Sequence, residues 1–263
     1  MIRKIAISML IGAVLLAGEG LPVLTLPRLA QEGYFPSPSM QEENSVHFSY
    51  ASWYYDTDYS SINAYFDHYH IGFQGLISGN IEIRGDVPQT EPVGTTAYYN
   101  TVFFAGRNWV LNSSFSVKTT LKFVTERLYY ASSWGGAADL EAVYAFQSPF
   151  RLLCGVENIG MMSPLLNQNT QLPTRYYLGA DGRFNAFIVS LKAGTGNDGA
   201  LFYRLGAAYV HPLFDVHYSF DRLQGVHHVG ADLKWNKIRI GYGQYFHQRG
   251  LGYPMMFSIG LCF

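Results

Sequence analysis

Charge is scarce in this chain. Asp, Glu, Lys and Arg supply 14% of its 263 residues, well under the roughly 25% of an ordinary soluble domain. The two signs nearly cancel, to a net −1, which removes the basic footprint expected of a nucleic-acid binder. Cysteine is almost missing: Cys154 and Cys262 make neither a disulfide framework nor a zinc site, and the alternation around them turns them to opposite sides of their segments. Long apolar runs are missing as well. Past the N-terminus nothing offers the ~18 consecutive apolar residues of a membrane helix, so any crossing of a bilayer has to be made of strands.

Aromatics are what the chain has in excess, at 16%, with 20 Tyr and 18 Phe. An apolar, aromatic-rich chain without helical spans fits a barrel with a lipid-facing apolar wall and a polar lumen. The N-terminus points to export. Met1-Ile2-Arg3-Lys4 is basic, Ile5 to Ala17 is an apolar run, and small residues Ala17, Gly18 and Gly20 follow, the plan of a secretory signal peptide. The run is too short for a spanning helix of roughly 20 residues, and no Cys follows it for lipidation. The expected division is a signal peptide over 1–20, with cleavage anywhere up to Ala30. A short periplasmic lead-in or small plug over 21–44 and a barrel over 45–263 follow.

The end of the chain shows the period that organises the rest. Met255, Phe257, Ile259, Leu261 and Phe263 share one face, and Met256, Ser258, Gly260 and Cys262 the other, a period of 2. Phe115, Val117, Thr119, Leu121 and Phe123 oppose Ser116, Lys118, Thr120 and Lys122 in the same way, and Leu201, Tyr203 and Leu205 oppose Phe202, Arg204 and Gly206. Such segments recur from Val46 onward about fourteen times, each near the length of a tilted membrane strand; the weakly marked turn at Asp67-His68 leaves twelve as the alternative.

Connections alternate in length. Asp67-His68, Arg107–Leu111, Ser148-Pro149, Phe184-Asn185, His211-Pro212 and Asn236-Lys237 read as tight turns. Tyr54–Asp58, Ser78–Gly94, Leu128–Gly135, Gly160–Gln171, Thr195–Gly199, Asp221–Gly225 and His247–Pro254 read as longer loops. Short periplasmic turns and longer extracellular loops are the habit of outer-membrane barrels, so the fold class is an all-β antiparallel transmembrane barrel of a bacterial outer membrane.

With the large apolar face toward lipid, the lumen-facing polar residues are Lys118, Lys122, Asp139, Glu141, Glu157, Arg175, Arg204, Asp232, Lys234 and Arg239, joined by Asp181, Asp215, His217 and His228. Acids and bases are mixed, so pairing across the interior is expected rather than a strong ion filter. Gly206, Gly230, Gly241, Gly243 and Gly260 lie on the same side. Trp53, Trp109 and Trp235, near segment ends, read as interfacial girdle residues. The histidines at 47, 68, 70, 227, 228 and 247 read as interfacial or turn residues; no Cys or paired carboxylate joins them, and neither metal nor cofactor is expected. No nucleophile sits with a base in a recognisable context, so no catalytic residue is assigned. Gly194-Thr195-Gly196-Asn197-Asp198-Gly199 lacks the Lys-Ser/Thr and helix of a phosphate loop.

Several short motifs, in order, resemble the FadL-like outer-membrane barrels, and among them the PorV/PorQ group. They are Phe35-Pro36-Ser37-Pro38-Ser39; Val46–Trp53 followed by Asp58-Tyr59; Ser116–Arg127 with Lys122 and Glu126; Gly136–Tyr144 with Asp139; Asn158-Ile159-Gly160; and Leu172-Pro173-Thr174-Arg175 through Gly179-Ala180. The resemblance implies a fourteen-stranded barrel and a non-enzymatic scaffold or shuttle in protein secretion to the cell surface, with secretion components or cargo as partners. Its alternative is a FadL-like transporter of hydrophobic small molecules. The barrel class further implies contact with outer-membrane lipid and recognition of the terminal Phe263 by the barrel-assembly machinery.

Overall fold

A computed structural model describes residues 21–28, 44–53, 56–83, 91–146, 149–165, 169–247 and 253–263. The signal peptide expected over 1–20 and the motif at Phe35–Ser39 lie outside the described residues. A short 3-10 turn at Pro22–Leu24 precedes the strands: β1 (Ser45–Ser52), β2 (Thr57–Phe66), β3 (Tyr69–Ile83), β4 (Gly94–Val110), β5 (Phe115–Leu128), β6 (Ala131–Ala145) and β7 (Phe150–Met162). Then come β8 (Arg175–Phe184), β9 (Phe187–Gly196), β10 (Leu201–Val210), β11 (Phe214–Asp221), β12 (Val226–Trp235), β13 (Ile238–His247) and β14 (Met255–Cys262).

Each strand pairs with its sequence neighbours, and β1 closes on β14, giving a barrel of fourteen antiparallel strands. Closure runs from Ser45 opposite Cys262 to Ser52 opposite Met255, which leaves no open sheet edge. The terminal strand alternates as its sequence does: Met255, Phe257, Ile259 and Leu261 are exposed while Met256, Ser258 and Gly260 are buried. Around the barrel the exposed row is apolar, with Leu121, Leu178, Leu201 and Ile259 among its members. A continuous surface of this kind belongs in hydrocarbon, not water. Among the described residues no helix is long and apolar enough to cross a membrane; the strands make the crossing.

Several boundaries differ from the sequence reading. Arg107–Val110 belongs to β4 and the turn begins at Leu111, because Trp109 and Val110 still pair with Val117 and Ser116. The loop expected over 78–94 is partly strand: β3 runs to Ile83 and pairs with Gly94–Thr96 past an irregularity between Ser78 and Ile81. Backbone pairing needs no lipid, so the ladder continues beyond the apolar band. Ala131–Gly135 likewise belongs to β6, and Leu128 faces Ala131 across the pair Tyr129-Tyr130. Tyr129 takes a left-handed φ of 55°, a conformation that favours Gly or Asn, so no turn signal marked it.

Trp109 and Trp235 are exposed on the outer side. Trp53 is not a girdle residue: its ring lies 4.9 Å from that of Tyr245 and packs on the buried apolar cluster inside. The interfacial reading also fails for His47, His70 and His228, which are 1%, 4% and 0% exposed. Cys154 is exposed and Cys262 half-buried, and the two are not joined in a disulfide.

Candidate functional site

Among the described residues the barrel interior is lined by two kinds of side chain, an apolar cluster and a set of ionic pairs. Toward the long-loop end, buried Val102, Val124, Leu172, Val226, Tyr245 and Met256 form an apolar chamber. Its occupant is the chain itself. Leu21 and Val23 are 1% and 0% exposed and belong to the same cluster, with Leu24 and Leu26 packed against it. The segment is tied to the wall by polar contacts. Val23 N–H donates to Asn100 Oδ1 at 3.1 Å, and Asn100 Nδ2 donates to the Thr125 carbonyl at 3.0 Å. Tyr59 donates to the Pro27 carbonyl at 2.8 Å and is itself held by Gln74 Nε2 at 2.7 Å. The Arg28 carbonyl accepts from Ser61 Oγ at 2.6 Å, and its guanidinium lies 4.1 Å over Phe104. A segment with no ladder partners gains its order from side-chain hydrogen bonds to its backbone and from burial of its apolar residues.

The rest of the described interior is ionic, from Lys234 and Arg239 at the short-turn end to Arg175, Arg204 and Asp221 at the long-loop ends of β8, β10 and β11. Lys122 Nζ lies 2.7 Å from Asp139 Oδ2 and donates to Asn158 Oδ1 at 2.7 Å; Asn158 N–H donates to Asp139 Oδ1 at 2.8 Å. Asn158 reaches inward because the β6–β7 register shifts between Ala138 and Leu140, and its φ is 57°. One extra residue in β7 therefore turns a second polar side chain into the lumen beside Glu157. Lys118 faces Glu141 across the β5–β6 pair; Glu141 Oε2 accepts from Tyr177 at 2.6 Å and from Lys192 at 3.0 Å.

Further round, Arg204 Nε donates to Asp221 at 2.7 Å while its Nη1 stands 3.8 Å from Glu157. The guanidinium groups of Arg175 and Arg204 lie 5.4 and 5.6 Å from the ring centre of Phe202. Arg151 and Asp181 form a two-bond fork at 2.7 and 2.9 Å. Between β11 and β13, Lys234 Nζ is 2.6 Å from Asp215 and Arg239 Nη1 is 3.5 Å from Asp232.

The lumen-facing residues read from the sequence thus fall into three groups. Lys118, Lys122, Asp139 and Glu141 meet on β5–β6; Glu157, Arg175 and Arg204 gather around Phe202; Asp232, Lys234 and Arg239 meet with Asp215 on β11–β13. Sequence reading missed Lys192, Tyr177 and Asp221. For Lys192 the signal was present, since it opposes the outward face of Val189, Leu191 and Ala193. Phe263, exposed on the outer side, packs its ring 5.9 Å from Phe66 and donates its N–H to the Asn44 carbonyl at 3.0 Å.

No family model and no curated protein matches the chain. Solved structures share its architecture. The P. putida toluene transporter TodX aligns with a TM-score of 0.54 at 11% identity, covering 94% of this chain and 93% of its own. The CymD monoaromatic hydrocarbon channel gives 0.53 at 13% identity over 94% and 98%. The Acinetobacter baumannii outer-membrane protein Omp33 gives 0.50 at 10% identity over 85% and 100%. At such identities the likeness is one of fold. The chain is a closed fourteen-stranded antiparallel barrel with the fold of these outer-membrane proteins, and its apolar girdle places it in the bacterial outer membrane.

Proposed function

We propose that this barrel passes small hydrophobic molecules across the outer membrane. The observation that carries the reading is the apolar chamber closed by the chain's own Leu21 and Val23. A pocket that holds aliphatic side chains out of water offers the same gain to a small apolar solute, about 25 cal/mol for each Å² it buries there. TodX and CymD, whose fold it shares, are a toluene transporter and a monoaromatic hydrocarbon channel by name, so toluene is a reasonable first probe. The fork of polar contacts on the 21–28 backbone would position that segment as an occupant in competition with the solute. Reading the barrel as a secretion scaffold finds no comparable support: two of the longer connections reduce to Tyr129-Tyr130 and the four residues Arg222–Gly225.

Uptake of labelled toluene by cells producing the protein, compared with cells carrying an empty vector, tests the proposal. Initial rates should rise several-fold, while entry of a sugar of similar size stays the same. Replacing Leu21 and Val23 by Ala should loosen the occupant and raise toluene uptake further. Rates equal to those of the empty-vector cells, at matched outer-membrane levels, would refute a transport role for this solute class.

A further inference from the structure

We propose that Asp215, His217 and Asp232 form a binding site for one divalent transition-metal ion at the short-turn end of the lumen. Asp215 and His217 are two residues apart on β11 and so share its inner face; Asp232 stands directly opposite Asp215 on β12. All three are buried, at 1%, 5% and 1% exposure. One imidazole nitrogen and one oxygen of each carboxylate lie within 4.8 Å of one another. Small side-chain rotations bring such a trio to the ~2.0–2.2 Å of zinc–nitrogen and zinc–oxygen bonds.

The independent observation is the state of the inner oxygens. Lys234 holds Asp215 through Oδ1 at 2.6 Å, and also donates to the His211 carbonyl at 3.2 Å. Arg239 approaches Asp232 through Oδ2 at 3.5 Å. That leaves Asp215 Oδ2 and Asp232 Oδ1 buried with no hydrogen-bond partner, the nearest cation to Asp215 Oδ2 being Arg239 Nη1 at 4.0 Å. Desolvated carboxylate oxygens without donors are costly, and two carboxylates facing each other repel unless a proton or a metal ion is held between them. Lys234 and Arg239 grip the opposite oxygens and so orient the ligands, the part that outer partners play around metal centres.

The same two cations already balance the aspartates, so an added ion must gain from ligand bonds rather than from net charge. An imidazole with two carboxylate oxygens favours zinc- or cobalt-type ions; calcium, which takes 6–8 oxygens, and magnesium, which keeps its waters, are poorly served.

Cobalt(II) titration of the purified, tag-free barrel in detergent, followed by visible absorption, tests the assignment. Wild-type protein should show a saturable d–d band with one ion per chain, displaced by zinc and not by magnesium. Asp232→Asn and His217→Gln, close in shape to the native residues, should each weaken binding by at least about tenfold, with heat-modifiable gel mobility confirming that each variant is folded. Absence of a saturable band at millimolar cobalt, or a band that survives either substitution, overturns the proposal. The result is independent of toluene uptake, which does not use these residues.

Discussion

Removing the Lys122 ammonium measures how dry the interior is around the ionic pairs of β5 and β6. Lys122 Nζ lies 2.7 Å from Asp139 Oδ2, with the two side chains 6% and 19% exposed, and it also holds Asn158 Oδ1 at 2.7 Å. Lys122→Met keeps the stem but leaves Asp139 supported by the Asn158 N–H and leaves Asn158 Oδ1 without its donor. Breaking a buried pair from one side costs roughly 3–5 kcal/mol, whereas an exposed pair is worth about 0–1 kcal/mol. Because Asp139 keeps some access to solvent, the expected loss is about 3 kcal/mol, the low end of the buried range.

Asp139→Asn retains an acceptor for the Asn158 N–H and should cost about 2 kcal/mol by stranding the lysine. Together the substitutions remove both charges, so the double variant should lose clearly less than the sum, with a coupling energy of about 2 kcal/mol, inside the range for contacting pairs. Reversible urea unfolding in micelles or lipid vesicles, read by tryptophan fluorescence, supplies all four corners of the cycle. A loss under about 1 kcal/mol for Lys122→Met, with additive behaviour in the double variant, would mean a water-filled channel and refute the packed ionic interior.

Two further changes probe the wall and the end of the chain. A Cβ on Gly260 would collide with the His47 ring, so Gly260→Val should destabilise the barrel by about 1–3 kcal/mol through overpacking, read as a lower urea midpoint; an unchanged midpoint would show that the ring has room to move. Phe263 ends the outward apolar row, 57% exposed and with its ring tilted against that of Phe66. If it is the handle for barrel assembly, deleting it should cut outer-membrane levels in cells several-fold and leave folding in detergent nearly intact; equal levels in cells would remove that role.

The barrel was legible because a wall between lipid and lumen imposes a period of 2 on every strand, and nothing else in the chain competes with that signal. Turn positions were less legible. Backbone pairing of β3 with β4 persists past the apolar band, and Tyr129 adopts a turn conformation that its side chain does not announce. Parity was a better guide than position for Trp53. It shares the odd face of His47 and Ala51, which is buried, yet its place at a strand end suggested the interface. The occupant of the chamber was illegible in detail, because residues 21–28 pair with no strand and carry no period. Asn158 was hidden for another reason: a bulge breaks the alternation locally, so counting in twos from Glu157 sends it to the wrong side.

The scarcity of charge now has a physical meaning. In a soluble domain charges coat the surface, whereas here the surface is given over to Leu, Ile, Phe and Tyr, and most ionic pairs span neighbouring strands inside. Lys122–Asp139 joins β5 to β6, Arg151–Asp181 joins β7 to β8, Arg204–Asp221 joins β10 to β11, and Lys234–Asp215 and Arg239–Asp232 join β11, β12 and β13. Buried ion pairs are weak contributors to net stability once desolvation is counted, so their value lies in what they forbid. Sliding a strand by one residue reverses all its side chains. A one-residue slip of β5 would send Lys118 and Lys122 into hydrocarbon, at about 2–4 kcal/mol for each near the midplane, and would leave Asp139 without its lysine. Closure of fourteen strands leaves every such slip to be absorbed by both neighbours. The paired charges of the interior are therefore placed where they fix the registers of neighbouring strands.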